Sequence, residues 1–397
     1  MVILTLLFMT DVPSWSDPYP LAWTSAGASA ILIIAPICAA CAAWEGGRLR
    51  RARWFAWPHV RSTTIVVLTI LLPTLVVGLL MIVVALLFQI ITSGFVFIPD
   101  WRVLSMAIIV LFAHVLLGFA MGVRIPIVVS LPMVFLLSFA WIELPNTLDD
   151  PLWLRHLSGI WTFCCLVSTN LAPQAWIGAL LVAIGMISMA SVLLLQRLRL
   201  WQALVSVVPL VIGVGVGAYM VQDLDAFPAV ARDEGVLVCS TSQPRVCVWP
   251  EHETRLEEVA ALATEASMAW RQVGVIVPDE FTEGAGGDRG IGSFGFSMET
   301  DRYTLFNSLS RSVLPPVANC EGQGSVSPRE VQTYLVAWLN SVAGMPAEAL
   351  VARANAQIRD TIATVQLLPL EEQQIWFERN LIALEQCGVP PQLEPLP

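Results

Sequence analysis

Residues 63–91 read TTIVVLTILLPTLVVGLLMIVVALLFQII, 29 consecutive residues without a charged side chain. Such a stretch has no stable place in water and needs hydrocarbon around it. A helix crosses roughly 30 Å of hydrocarbon in about 20 residues. At about 1.5 Å per residue this run would be ~43 Å long, so it tilts or begins in the cytoplasm, and Pro73 offers a bend. Residues 21–43, 103–122, 175–195 and 202–221 are also apolar and long enough, and 126–142 reaches the short limit. The expected fold is an α-helical polytopic membrane protein with about six spans.

Two apolar pieces are too short to span. VILTLLFM (2–9) lacks the basic flank of a signal peptide. It reads as the outer end of a partial N-terminal span whose inner half would lie upstream, or equally as a frayed interfacial tail. GIWTFCCLVSTNLAP (159–173) lies between outward-facing segments and suits a re-entrant or interfacial segment on the outer face.

Arginine orients the spans. Arg48, Arg50, Arg51, Arg53 and Arg61 follow the first span, Arg124 the third, and Arg197 and Arg199 the fifth, whereas Asp11, Asp17, Asp100, Glu143, Asp149 and Asp150 occupy the alternate loops. Basic loops stay in the cytoplasm. The expected setting is a membrane crossed several times, with the C-terminal part outside. Charge also sets the expected boundary. Residues 1–221, the transmembrane domain, hold 7 acids and 10 arginines, whereas residues 222–397 hold 24 acids and 11 arginines. So acidic a domain argues against nucleic acid as its partner, since phosphate binding needs a basic surface. The chain has no lysine. A P-loop needs its lysine on the β- and γ-phosphates, so if ATP drives this protein, another chain binds the ATP.

The extracytoplasmic domain is expected to be α+β and mainly helical, and to contain disulfides. GVLVCSTSQPRVCVWP reads as two strands around a proline-bearing turn, with Cys239 and Cys247 placed symmetrically on them. SPRE (327–330) is a capping box that starts a helix after Cys320, and Cys387 ends another helix, about 370–387, closed by Gly388. The expected pairs are Cys239–Cys247 and Cys320–Cys387. Zinc is the rival use of these thiols, disfavoured by a single histidine and no CxxC. Cys38, Cys41, Cys164 and Cys165 lie in or beside apolar spans and read as free, small hydrophobes.

Catalytic motifs are absent or broken. His252-Glu253-Thr254-Arg255-Leu256 has the frame of HExxH without its second histidine, so His252 and Glu253 are expected in the first turn of a helix running to about 272, and no metal is expected. GAGGDRGIGSFGF (284–296) lacks the strand-to-helix setting of a dinucleotide site and reads as a mobile loop ending in a strand. His114 is the one titratable side chain inside a span. An ionisable group there points to function; the plainer alternative is a neutral imidazole bonded to a neighbouring helix.

AAWEGGRLRRARW (42–54) places Glu45 and four arginines between Trp44 and Trp54 just beyond the first full span. AAWEGGRLRR resembles a family of actinobacterial ABC-2-type transporter permeases with an extracytoplasmic C-terminal domain of unknown function, and VCVWPEH and EEQQIWFERNLIALEQC look like the same family. That resemblance implies the membrane subunit of an exporter in a bacterial plasma membrane rather than an enzyme. Such a subunit would carry no cofactor of its own, with ATP and Mg on a separate cytoplasmic P-loop ATPase, and would pair as a homodimer or with a second permease among membrane lipids. It makes 45–62 the coupling segment: Glu45, Arg48, Arg50, Arg51 and Arg53 would contact the ATPase, and Trp44, Trp54 and Trp57 would anchor it at headgroup depth. The competing reading of the arginines is a topology signal alone. The competing functions are a non-transporting membrane receptor or immunity protein with an outer ligand-binding domain, and, third, a membrane enzyme.

Overall fold

A computed structural model of the chain describes residues 5, 17–54, 62–162, 164–195, 200–285, 290–317, 327–346 and 356–394. The chain divides into two compact units, Met1–Arg232 and Asp233–Pro397. The boundary falls beyond the expected residue 221 because strand β2 (Ala229–Ala231) pairs antiparallel with β1 (Thr169–Leu171) and belongs to the first unit.

Among the described residues of the first unit, five helices are long and apolar enough to cross a membrane. The first combines α1 (Pro20–Ala28) and α2 (Ile31–Arg51); the others are α3 (Thr63–Ser93), α4 (Trp101–Arg124), α5 (Ile127–Glu143, extended by a 3₁₀ turn to Thr147) and α6 (Pro173–Leu193). Their ends have local causes. Asp100 caps α4 by accepting from the amides of Arg102 (2.9 Å) and Val103 (3.4 Å), and Gly94, at φ +73°, closes α3. The expected full span 202–221 is instead split into α7 (Leu200–Val205) and α8 (Val208–Val221). Pro209 opens α8; it has no amide to continue a helix arriving from α7. The 14 residues of α8 reach only about 21 Å. The expected partial span at 2–9 lies, except for Thr5, outside the described residues.

Small residues form the seams of this unit. A Cβ on Gly118 or Gly122 of α4 would run into the backbone carbonyls of Ala39 and Ala43 on α2, and one on Gly46 would sit 2.9 Å from the amide nitrogen of Val123. The two helices therefore run parallel with their backbones touching, as small-xxx-small pairs allow. Helices α6 and α8 use the same device in antiparallel sense: Gly185 meets Leu210, Gly213 meets Leu181, and Gly178 lies beside Gly217.

The end of the unit where α1, α4 and α6 begin is tied by polar groups. Tyr19 donates to the Thr169 carbonyl (2.9 Å), Thr24 Oγ1 accepts from the Asp100 amide (2.9 Å), and Arg102 bridges Asp100 and Asn170 (both 2.8 Å). Arg232 lies 5.0 Å from the Tyr19 ring centre. The segment expected to be re-entrant or interfacial packs in part against the helices. Gly159 packs against Met106 and Val110, five and nine residues into α4, and Trp161 is buried. Cys164 and Cys165, expected to be free, stand next to each other within disulfide distance.

The second unit is mainly helical around a small sheet. Strands β3 (Val238–Cys239), β4 (Arg245–Val248), β5 (Glu280–Thr282) and β6 (Ile291–Ser293) lie in that order, the first pair antiparallel and the rest parallel. Helices α9 (Leu256–Gln272), α10 (Arg302–Ser312), α11 (Pro328–Val342), α12 (Ala356–Gln366) and α13 (Leu370–Glu385) supply most of the core. Trp270 and Trp338 are fully buried, and each indole N–H has an acceptor, the Leu339 carbonyl (2.9 Å) and Gln373 Oε1 (3.1 Å). The N-cap half of the capping box forms, with Ser327 Oγ accepting from the Glu330 amide at 3.3 Å.

Candidate functional site

The basic stretch begins as helix. α2 continues through Arg51, so Glu45, Arg48, Arg50 and Arg51 sit on its last two turns rather than on a separate element, and Arg53 follows in a turn at φ +52°. Glu45 and Arg48 form a bidentate pair within the helix, both oxygens 2.9 Å from Arg48 Nη1. Exposed pairs of this kind contribute only about 0.3–0.5 kcal/mol. The Arg51 guanidinium stands 5.8 Å from the half-exposed Trp44 ring centre. Arg50 and Arg53 are exposed and make no ion pair among the described residues. Trp54 is half-buried; Trp57 and the rest of 55–61 lie outside the described residues.

Three arginines in a last helical turn also suit the negative end of the helix dipole. What exceeds that role is their footing. Directly behind them Gly46 and Gly47 pack against Val123 and Ile127, so the charged turn is backed by the neighbouring spans. Arg124, at the same end of α4, donates through Nε to the Leu193 carbonyl (2.6 Å) and through Nη2 to the Leu195 carbonyl, tying down the end of α6. The arrangement offers an anchored cationic surface suited to carboxylates or anionic headgroups. The anchoring has a signal in the sequence, the small-residue pair Gly118-x-x-x-Gly122.

His114 lies elsewhere, in the middle of α4, 2% exposed and without a hydrogen bond among the described residues. The plainer alternative, a bond to a neighbouring helix, is not seen among the described residues. It lines a cavity of about 10 Å³ with Trp141, Leu157 and Ser158, at the lower limit for one water molecule.

In the second unit the broken HExxH frame has a structural use. His252, in a 3₁₀ turn (Pro250–Arg255) ahead of α9, is 1% exposed, and its Nδ1 lies 2.8 and 3.0 Å from the carboxylate oxygens of Glu283. The Trp249 amide donates to the same carboxylate (2.9 Å), and Phe296 lies tilted against the imidazole with ring centres 4.5 Å apart. Glu283 follows β5, 31 residues along the chain, so local motif reading does not find it. Glu253 does not share this site. Nearby, two hydrogen bonds from Arg255 hold the Glu258 carboxyl below its ordinary pKa.

Cys239 and Cys247 are register partners joined by a 2.08 Å disulfide. Cys387 is also disulfide-bonded; its expected partner, Cys320, lies outside the described residues. No group of three or more metal-ligating side chains occurs among the described residues.

Residues 246–387 match a family model described as "Domain of unknown function (DUF7224)". The match covers the second unit from β4 to Cys387; no ABC permease family is identified for the apolar helices. No curated protein and no solved structure matches the chain.

Proposed function

We propose that the chain is the membrane permease subunit of an ABC-type exporter, driven by a separate cytoplasmic P-loop ATPase. The observation that carries the reading is the anchored basic end of α2. Arg50 and Arg53 make no ion pair among the described residues, and the turn that bears them is backed directly by α4. A docked ATPase pulling on that turn would move two spans together, since no compressible side chain separates their backbones. Closure of two ATPase copies around Mg-ATP would draw the basic ends of two permease chains toward each other. The arginine excess assigns that end to the cytoplasm, which leaves the second unit outside. Glu45 contributes less than its position suggests, because Arg48 already occupies it.

The test is affinity purification of the full chain from native membranes, unaltered and with Arg50→Glu plus Arg53→Glu. The unaltered chain should retain a P-loop ATPase and Mg-ATP hydrolysis. The variant should insert normally and lose the ATPase tenfold or more, about 1.4 kcal/mol per factor of ten. Equal retention by both would reduce the arginines to orienting the chain.

A further inference from the structure

Independently of transport, the second unit carries an open groove of about 750 Å³ between the turn after α9, the end of α10 and one side of α13. Its apolar lining includes Val275, Leu314, Phe377 and Leu381, and Ile276 stands at its lip 92% exposed. Two kinds of group there are uncommitted. The first is backbone. Residues 275–278 (VIVP) are neither helix nor strand, and the amides and carbonyls of Ile276 and Val277 make no hydrogen bond among the described residues. Pro278 biases Val277 toward extended backbone, and an extended segment with open main-chain groups accepts another strand.

The second is charge. Glu378 and Glu385 are exposed on the groove side of α13, seven residues apart, and neither makes an ion pair among the described residues. Arg311, across the groove, is equally unpaired, which leaves the charged lining at a net −1 within a strongly acidic half of the chain. Seven helical residues separate the two carboxylates by about 10.5 Å. Same-face residues of a strand lie about 7 or 13 Å apart, within reach of long basic side chains.

We propose that this groove binds an extended peptide that alternates apolar and basic residues. Its main chain pairs with Ile276 and Val277, its apolar side chains lie on Val275, Leu314, Phe377 and Leu381, and its basic side chains reach Glu378 and Glu385.

The experiment measures fluorescence anisotropy of a labelled hexapeptide alternating valine and arginine, with the full chain in phosphatidylcholine nanodiscs. Saturable binding is expected. It should weaken at least tenfold for Glu378→Gln with Glu385→Gln, for Leu381→Asp, and for a peptide N-methylated at alternate amides. Glu371→Gln with Glu372→Gln, which removes the same charge from the exposed start of α13, should leave it unchanged. A valine–glutamate hexapeptide should not bind. Absence of saturable binding, or an equal loss from both paired Glu→Gln variants, would overturn the proposal; the latter would mean that the acidic unit attracts cations without using the groove.

Discussion

The contact between α2 and α4 can be tested by adding one methyl group. In Gly122→Ala the new Cβ would stand 2.8 Å from the carbonyl carbon of Ala43 and closer still to its oxygen, where ordinary contact begins at 3.4 Å. The helices must therefore part by 0.6 Å or more. A gap of about 0.5–1 Å already forfeits a quarter to a half of each dispersion contact along the seam, and overpacking of this kind costs about 1–3 kcal/mol. Against this, alanine favours a helix over glycine by about 1 kcal/mol. Gly215→Ala isolates that gain, because a Cβ at Gly215 meets nothing within 4 Å. Unfolding by SDS titration, followed by far-ultraviolet circular dichroism, should find Gly215→Ala at least as stable as the parent. Gly122→Ala should be less stable than Gly215→Ala by about 1–3 kcal/mol. Adding Gly118→Ala should cost less than its single effect, since the helices have already moved apart. Equal stability of the two single variants would refute backbone contact at this seam.

His252→Ala takes the imidazole hydrogen bond from the buried Glu283 carboxyl. It should lower stability by about 1–3 kcal/mol in the same unfolding assay, with a smaller loss for His252→Gln combined with Glu283→Gln. Replacing both Cys239 and Cys247 by alanine should cost about 2.5 kcal/mol, the loop-entropy value for a separation of 8 residues; full stability in the double variant would contradict a bond formed in the folded protein. Burial holds the His156 pKa below its ordinary 6.5, although Nε2 donates to the Asp225 carbonyl at 2.8 Å. The unfolded chain then binds this proton before the folded one does, so stability should fall as pH drops below about 6.5, with a shallower fall in His156→Gln.

The spans were legible because hydrocarbon makes a demand that every residue of a segment must meet, and 63–91 meets it without exception. The 239–247 hairpin was legible because its strands and turn are neighbours in sequence. Pairing decided over distance was not: Glu283 stands 31 residues from His252, and nothing near either announces the other. The 202–221 segment misled because hydropathy averages over Pro209, whereas the backbone responds to that single missing amide. Hydropathy likewise treats Gly118 and Gly122 as weakly apolar filler, yet the absence of their side chains sets how closely α2 and α4 approach. At the candidate site the charged residues were visible. The Glu45–Arg48 pair and the glycine backing, which change what those charges are free to do, were not.

The contact between Tyr19 and Arg232 fixes a parity. A chain that departs from Tyr19 and returns beside it must traverse the bundle an even number of times. Among the described residues the five long helices make an odd number, and the broken α7–α8 stretch is the segment that brings the chain back toward Tyr19, although α8 is too short to qualify by its own length. Spans can then be gained or lost only in pairs, because a single one would deliver Asp233 to the end that carries Arg50 and Arg53.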